Sequence, residues 1–174
     1  MVVQASGILL YRKGKCQPSH SWGEPAGSLL ILSPVPSLSV PPAVLVHGID
    51  GLRAALAAAA SLGRPLTVVS FPGAAGSAGA SWFHALVRAG SAEHPEVPLT
   101  AVLDCGEQPG HALAALRVGV GHLLLADSVP AWPRVQAIAE AAGATLYGSA
   151  GPVFDPRFFR DPIRECREWL AVNP

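Results

Sequence analysis

The sequence predicts an α/β fold with a mainly parallel sheet, on three observations. Short, continuously apolar runs recur between Ala43 and Tyr147. Each of the first four is followed by a stretch carrying Ala and Leu at helical spacing, and most of those stretches stop at a glycine. Continuous apolar runs mark strands buried on both faces. A glycine stop suits the left-handed conformation that closes a helix. Strands that alternate with helices of about 10–15 residues build βαβ units, whose right-handed crossovers leave the strands parallel.

The elements follow in order. Ala43 to His47 is the first strand of the regular part, with a helix from Asp50 to Leu62 and a stop at Gly63. Leu66 to Ser70 is the next strand, and a Gly-rich loop leads to a helix from about Ser81 to Ala89. Leu99 to Asp104 precedes a helix from about Pro109 to Val118, closed by Gly119. His122 to Ala126 precedes a helix from Pro130 to Ala142, closed by Gly143, and Ala144 to Tyr147 completes the series. The tail from Phe154 to Pro174 places Phe158, Phe159, Ile163, Cys166, Trp169 and Leu170 near helical spacing and reads as one amphipathic helix. The first 42 residues differ: Gly, Pro and Ser recur from Gly14 to Pro42. The runs Gly7–Tyr11 and Ser28–Leu32 read as antiparallel or edge strands around a loop in which Trp22 folds back onto the core.

Five strands, with one or two more from the N-terminal segment, favour an open three-layer (αβα) sheet of about five to seven strands over a closed eight-stranded barrel. The expected architecture is Rossmann-like or flavodoxin-like, in one domain over residues 1–174. From Leu99 to Gly148 the repeat resembles that of signal-receiver domains in architecture alone. Phosphate reception would also want acidic residues after the first strand and a lysine after the last, where His47-Gly48 and Tyr147-Gly148 stand instead.

Charged residues make up only 14% of the chain, too few to cover a large surface, so association with another copy is expected. Acidic and basic residues balance at 12 each, and no aromatic-and-basic stripe is present, which argues against nucleic acid and anionic lipid as partners. No apolar stretch approaches the roughly 20 residues of a membrane span, and no targeting segment is evident, so a cytoplasmic location is expected. Three widely spaced cysteines suggest a reducing compartment rather than a disulfide framework.

Ligands of open parallel sheets bind beyond the carboxyl ends of the strands. The residues there are His47, Ser70, Asp104 with Cys105, Asp127 with Ser128, and Tyr147. His47, Asp104, Cys105 and Asp127 are the catalytic candidates, with His47 or Asp104 as acid or base. Cys105 lies near a predicted helix start, where a thiolate is stabilised, and His47 or His111 would serve as its base. Asp and Ser are also ordinary turn and capping residues, and cysteine is commonly an inert core residue. The loop from Phe71 to Ser81 opens a helix, so Ser70, Gly73, Gly76, Ser77, Gly79 and Ser81 are candidates for holding a phosphate or carboxylate. It carries neither GK[ST] nor GxGxxG, and no HxH or HExxH spacing occurs, so nothing points to a cofactor or a metal. Lys13 and Lys15 are the only lysines, which leaves no Schiff-base lysine for the predicted strand ends. The reading that follows is a small-molecule-binding protein with an anionic ligand, an enzyme or not. Its competitor is a self-associating or partner-binding module without catalysis.

Overall fold

A computed structural model of the chain describes residues 37–173. They form β1 (Leu38–Ser39), β2 (Ala43–Val46), α1 (Ile49–Leu62), β3 (Leu66–Ser70), a short α2 (Ala74–Ser77), α3 (Ala80–Glu93) and β4 (Leu99–Asp104). There follow α4 (Pro109–Val118), β5 (His122–Leu124), α5 (Trp132–Ala141), β6 (Thr145–Ser149), β7 (Val153–Phe154), a 3-10 turn (Pro156–Phe158) and α6 (Pro162–Val172). Every strand–helix unit predicted from Ala43 onward is present, and every strand pairing is parallel. The α/β class with a parallel sheet of seven strands is therefore the one expected. The runs Gly7–Tyr11 and Ser28–Leu32, with Trp22, lie outside the described residues.

The winding is more specific than the class. Strand order is β1-β6-β5-β4-β3-β2-β7, so β2 to β6 lie side by side in chain order with no reversal between them. Right-handed crossovers taken repeatedly in one direction place every helix on the same side. Accordingly α1 packs on α3 and α6, α3 on α4, and α4 on α5, in a single outer layer. This corrects the three-layer, Rossmann-like detail, which needs the order to reverse midway.

The sheet also curls until its ends meet. β1 and β2 are two halves of one extended segment, interrupted at Pro41-Pro42, whose nitrogens cannot donate to a ladder. β6 and β7 are likewise successive parts of one segment. The two segments pair in parallel, with Ser39 opposite Ser149, Ala43 opposite Val153 and Val44 opposite Phe154. Between these pairs Val40 N–H donates to Ser149 O and Ala43 N–H to Pro152 O, each at 3.0 Å. Gly151 sits in this seam because a Cβ there would run into the carbonyl oxygen of Val40.

Two apolar clusters follow from the curl and from the two-residue period of strands. On the concave side Val40, Ala43, Val69, Val102, Leu124 and Tyr147 meet, with Leu45 against them. On the convex side Val44, Val46, Leu66, Val68, Leu103, Leu123 and Leu146 pack under the helices, against residues such as Leu52, Leu56, Phe83, Ala112 and Val135. Small residues let the helices approach: a Cβ on Gly90 of α3 would lie 2.6 Å from the Leu52 side chain of α1. Gly63 and Gly119 close α1 and α4 in the left-handed region, at φ 61° and 88°, as their positions predict.

The tail is corrected. In place of one helix from Phe154, the chain continues the sheet through β7, makes the 3-10 turn, and begins α6 only at Pro162. Pro156 and Pro162 supply no N–H and suit first-turn positions, and the carboxylates of Asp155 and Asp161 cap the two turns by accepting from Arg157 N–H and Arg164 N–H, each at 3.1 Å. Among the described residues no helix is long and apolar enough to cross a membrane.

Candidate functional site

The parallel strands deliver their carboxyl ends to one rim of the curled sheet. There the concave face passes from apolar to polar: Leu45 is followed by His47 and Val102 by Asp104, two positions on along their strands. Two clefts open at this rim. One, of about 210 Å³, is lined by Leu45, His47, Asp50, Gly51, Pro156, Arg157, Phe159 and Pro162. The other, of about 290 Å³, is lined by Asp104, Gly106, Glu107, Leu124, Ala126, Gly148, Ser149 and Ala150.

In the first cleft the register of β7 against β2 decides the chemistry. Val44 pairs with Phe154, so the residues that follow each strand, His47 and Asp155, leave the sheet close together. His47 Nε2 lies 3.2 Å from Asp155 Oδ2. The same Oδ2 is 2.9 Å from Arg157 Nε, and Oδ1 accepts from Arg157 N–H at 3.1 Å. The His47 ring stacks on Phe71, with centroids 5.6 Å apart and planes 6° from parallel. Phe71 is backed in turn by Trp82 of α3. The guanidinium of Arg157 lies over the Phe158 ring at 4.6 Å. Its terminal nitrogens make no hydrogen bond or ion pair with any described residue.

Asp104 has a different task. Its Oδ1 accepts from Gly73 N–H at 2.9 Å and from Gly106 N–H at 2.8 Å, while its own N–H donates to Ser70 Oγ at 2.9 Å. One carboxylate therefore ties the turn after β3 to the turn after β4. The Gly-rich segment is not an open cradle. Gly76 and Ser77 donate to Gly73 O, and Gly79 donates to Ala74 O, so α2 consumes those donors internally. Ser77 Oγ also bonds Gly73 O, and Gly76 lies against the His111 ring. Ser81 is exposed in the first turn of α3.

The remaining candidates scatter. Cys105 is 1% exposed and packs beneath the helices, and burial, with the charge of Asp104, pushes its thiol up to about 12. Asp127 is exposed and accepts from Ser37 Oγ at 2.6 Å. The rim thus brings His47 into one cleft and Asp104 into the other, with Phe71 and Gly73 as the chain link between them. Asp155 and Arg157 are not among the sequence-predicted residues because the spacing of the tail predicts a helix across them. The signal was present in Asp155-Pro156, an acidic residue and a proline just after the apolar pair Val153-Phe154. Among the described residues no group of three or more His, Cys, Asp or Glu is arranged to hold a metal ion.

No family model matches the chain, and no curated protein does. A solved structure is similar to it: a Coccidioides immitis protein assigned as a fructose-1,6-biphosphate aldolase, at 20% identity and a TM-score of 0.52. The match covers 62% of this chain and 40% of that structure, so the chain spans well under half of the neighbour's length. At this identity the likeness is one of fold.

Proposed function

We propose that the chain binds a small anionic molecule at the carboxyl rim of its curled sheet, in the cleft beside Arg157. The observation that carries this reading is the guanidinium itself. Asp155 holds it through Nε, and its terminal nitrogens have no partner among the described residues. A fixed, planar donor of this kind suits a carboxylate or phosphate. Leu45, Pro156, Phe159 and Pro162 line the same cleft with apolar surface. The rim position is where (β/α) folds place their sites. A fold-level likeness to an aldolase structure supports a small-molecule site of enzymatic type. Asp104 is a structural tie in this reading, and Cys105 and Asp127 take no part in ligand contact. Free buried thiols at Cys105 and Cys166 accord with a cytoplasmic location, which belongs to the same proposal.

A second reading, self-association, is favoured by exposed apolar residues near the same rim. Phe158 is 78% exposed, and Phe159 and Ile163 are about half exposed. One experiment separates the two. Thermal-shift titration with sugar phosphates and small carboxylates raises Tm if the cleft is a site. Arg157→Gln then weakens binding about tenfold or more, as expected for a hydrogen bond to a charged group worth about 1.5–3 kcal/mol. A flat response together with oligomers in light scattering supports self-association instead.

A further inference from the structure

We propose that His47 accepts a proton from the molecule bound beside Arg157, so that the site moves a proton at the carbon next to the carbonyl of a small anionic carbonyl compound. This deepens the anion-binding reading and rests on it. A carboxylate can only accept hydrogen bonds, so the contact between Asp155 Oδ2 and His47 Nε2 at 3.2 Å places the neutral ring's proton on Nε2. Nδ1 is left with its lone pair, and no described residue bonds to it. Asp155 is fixed in turn by two donors of Arg157. The ring plane is fixed separately by the stack on Phe71. An ordinary surface ion pair is held at one point, whereas this imidazole is held at its edge and on its face.

The cleft is small and has a positive group at its wall. Its volume of about 210 Å³ is below the roughly 300 Å³ at which drug-sized pockets begin, so it suits a molecule of few heavy atoms. The charged groups facing His47 are Asp155, Arg157 and, from α1, Asp50, whose side chain is 97% exposed to water. The described residues contain no lysine that could form an imine, so direct removal of the proton is the step available to these side chains. In that step Nδ1 takes the proton from the carbon beside the carbonyl. The C–H electron pair becomes the carbon–carbon double bond, and the carbonyl π pair moves to oxygen. The positive charge available to the enolate in the same cleft is that of Arg157 and of the amino end of α1, whose first-turn residues Asp50 and Gly51 line it. Return of a proton from His47 to carbon completes the cycle, and no other reactant is consumed.

The test uses dihydroxyacetone phosphate as the probe, in D2O, with exchange of its carbon-bound protons followed by NMR and binding followed by thermal shift. The expected result is exchange at least tenfold above the buffer rate. His47→Asn returns it to near the buffer rate, as expected for a lost general base, while the thermal shift with the same compound persists. Asp155→Asn lowers the rate at saturating probe more than it raises the probe concentration needed for a half-maximal thermal shift, because an amide no longer fixes the tautomer that leaves Nδ1 unprotonated. That variant carries the test if His47→Asn does not fold by circular dichroism. A wild-type protein that binds the probe without exchange overturns the proposal, and so does exchange by His47→Asn at the wild-type rate. Absence of both binding and exchange overturns the anion-binding reading, and this proposal with it.

Discussion

At the scale of single residues, Asp104 shows how a polar group at a strand end can serve the frame. Its carboxylate satisfies two backbone N–H groups in different turns, a role that neutral Asn fills only weakly because charge-assisted bonds are stronger. Asp104→Asn is expected to destabilise the protein by about 1–3 kcal/mol, read as a lower urea midpoint with an unchanged slope. The sequence marked Asp104 and His47 alike, since both are polar residues just after apolar runs. It could not separate their tasks, because the difference lies in partners 31 and 108 positions away. Arg157 and Asp155 were illegible for a related reason. Helical spacing of Ile163, Cys166 and Leu170 is satisfied whether the helix begins at 154 or 162, and only strand pairing of Val153-Phe154 settles the start.

At the scale of elements, the strand–helix units were legible because burial on both faces leaves a continuous apolar run, and five such runs stand between glycine stops. The seam was not legible. Leu38-Ser39 and Val153-Phe154 are two-residue strands inside segments rich in Gly, Pro and Ser, with too few residues to show a period. Nor does periodicity tell whether successive crossovers reverse direction, which is what separates two helix layers from one. The seam makes a firm prediction. In Gly151→Ala a new Cβ meets the backbone oxygen of Val40, which cannot rotate away as a side chain could. The variant is expected to lose about 1–3 kcal/mol, the usual toll of overpacking. Hydrogen exchange should show early opening at Val40 and Ala43 while the β3–β4 pair stays protected.

At the scale of the whole molecule, buried titratable groups bound the pH range of stability. Burial lowers His122, whose Nδ1 has no partner among the described residues. The folded state therefore holds its neutral form, and this contribution is lost as pH falls below the ordinary imidazole value of about 6.5. Burial first, then the charges of Asp104 and Glu165, pushes the thiols of Cys105 and Cys166 up to about 12. Their unfolded counterparts ionise near 9.0, so stability declines as pH rises from there towards 12. Urea midpoints measured from pH 5 to 11 should trace a plateau with a fall at each end. His122→Gln should flatten the acid side, and replacing both cysteines with Ala should flatten the alkaline side.

The closed seam also has a consequence for how the chain comes to be folded. Ala43 and its partner Val153 are separated by 110 positions, so the pairing that completes the curl has high contact order. During synthesis the β2–β5 units can assemble in the order in which they emerge. The edge that includes Val40 and Ala43 finds its cover only when residues 149–154 have left the ribosome. Until then it presents unsatisfied backbone groups and the apolar concave face, so the nascent chain is exposed to misassociation for as long as that segment is missing.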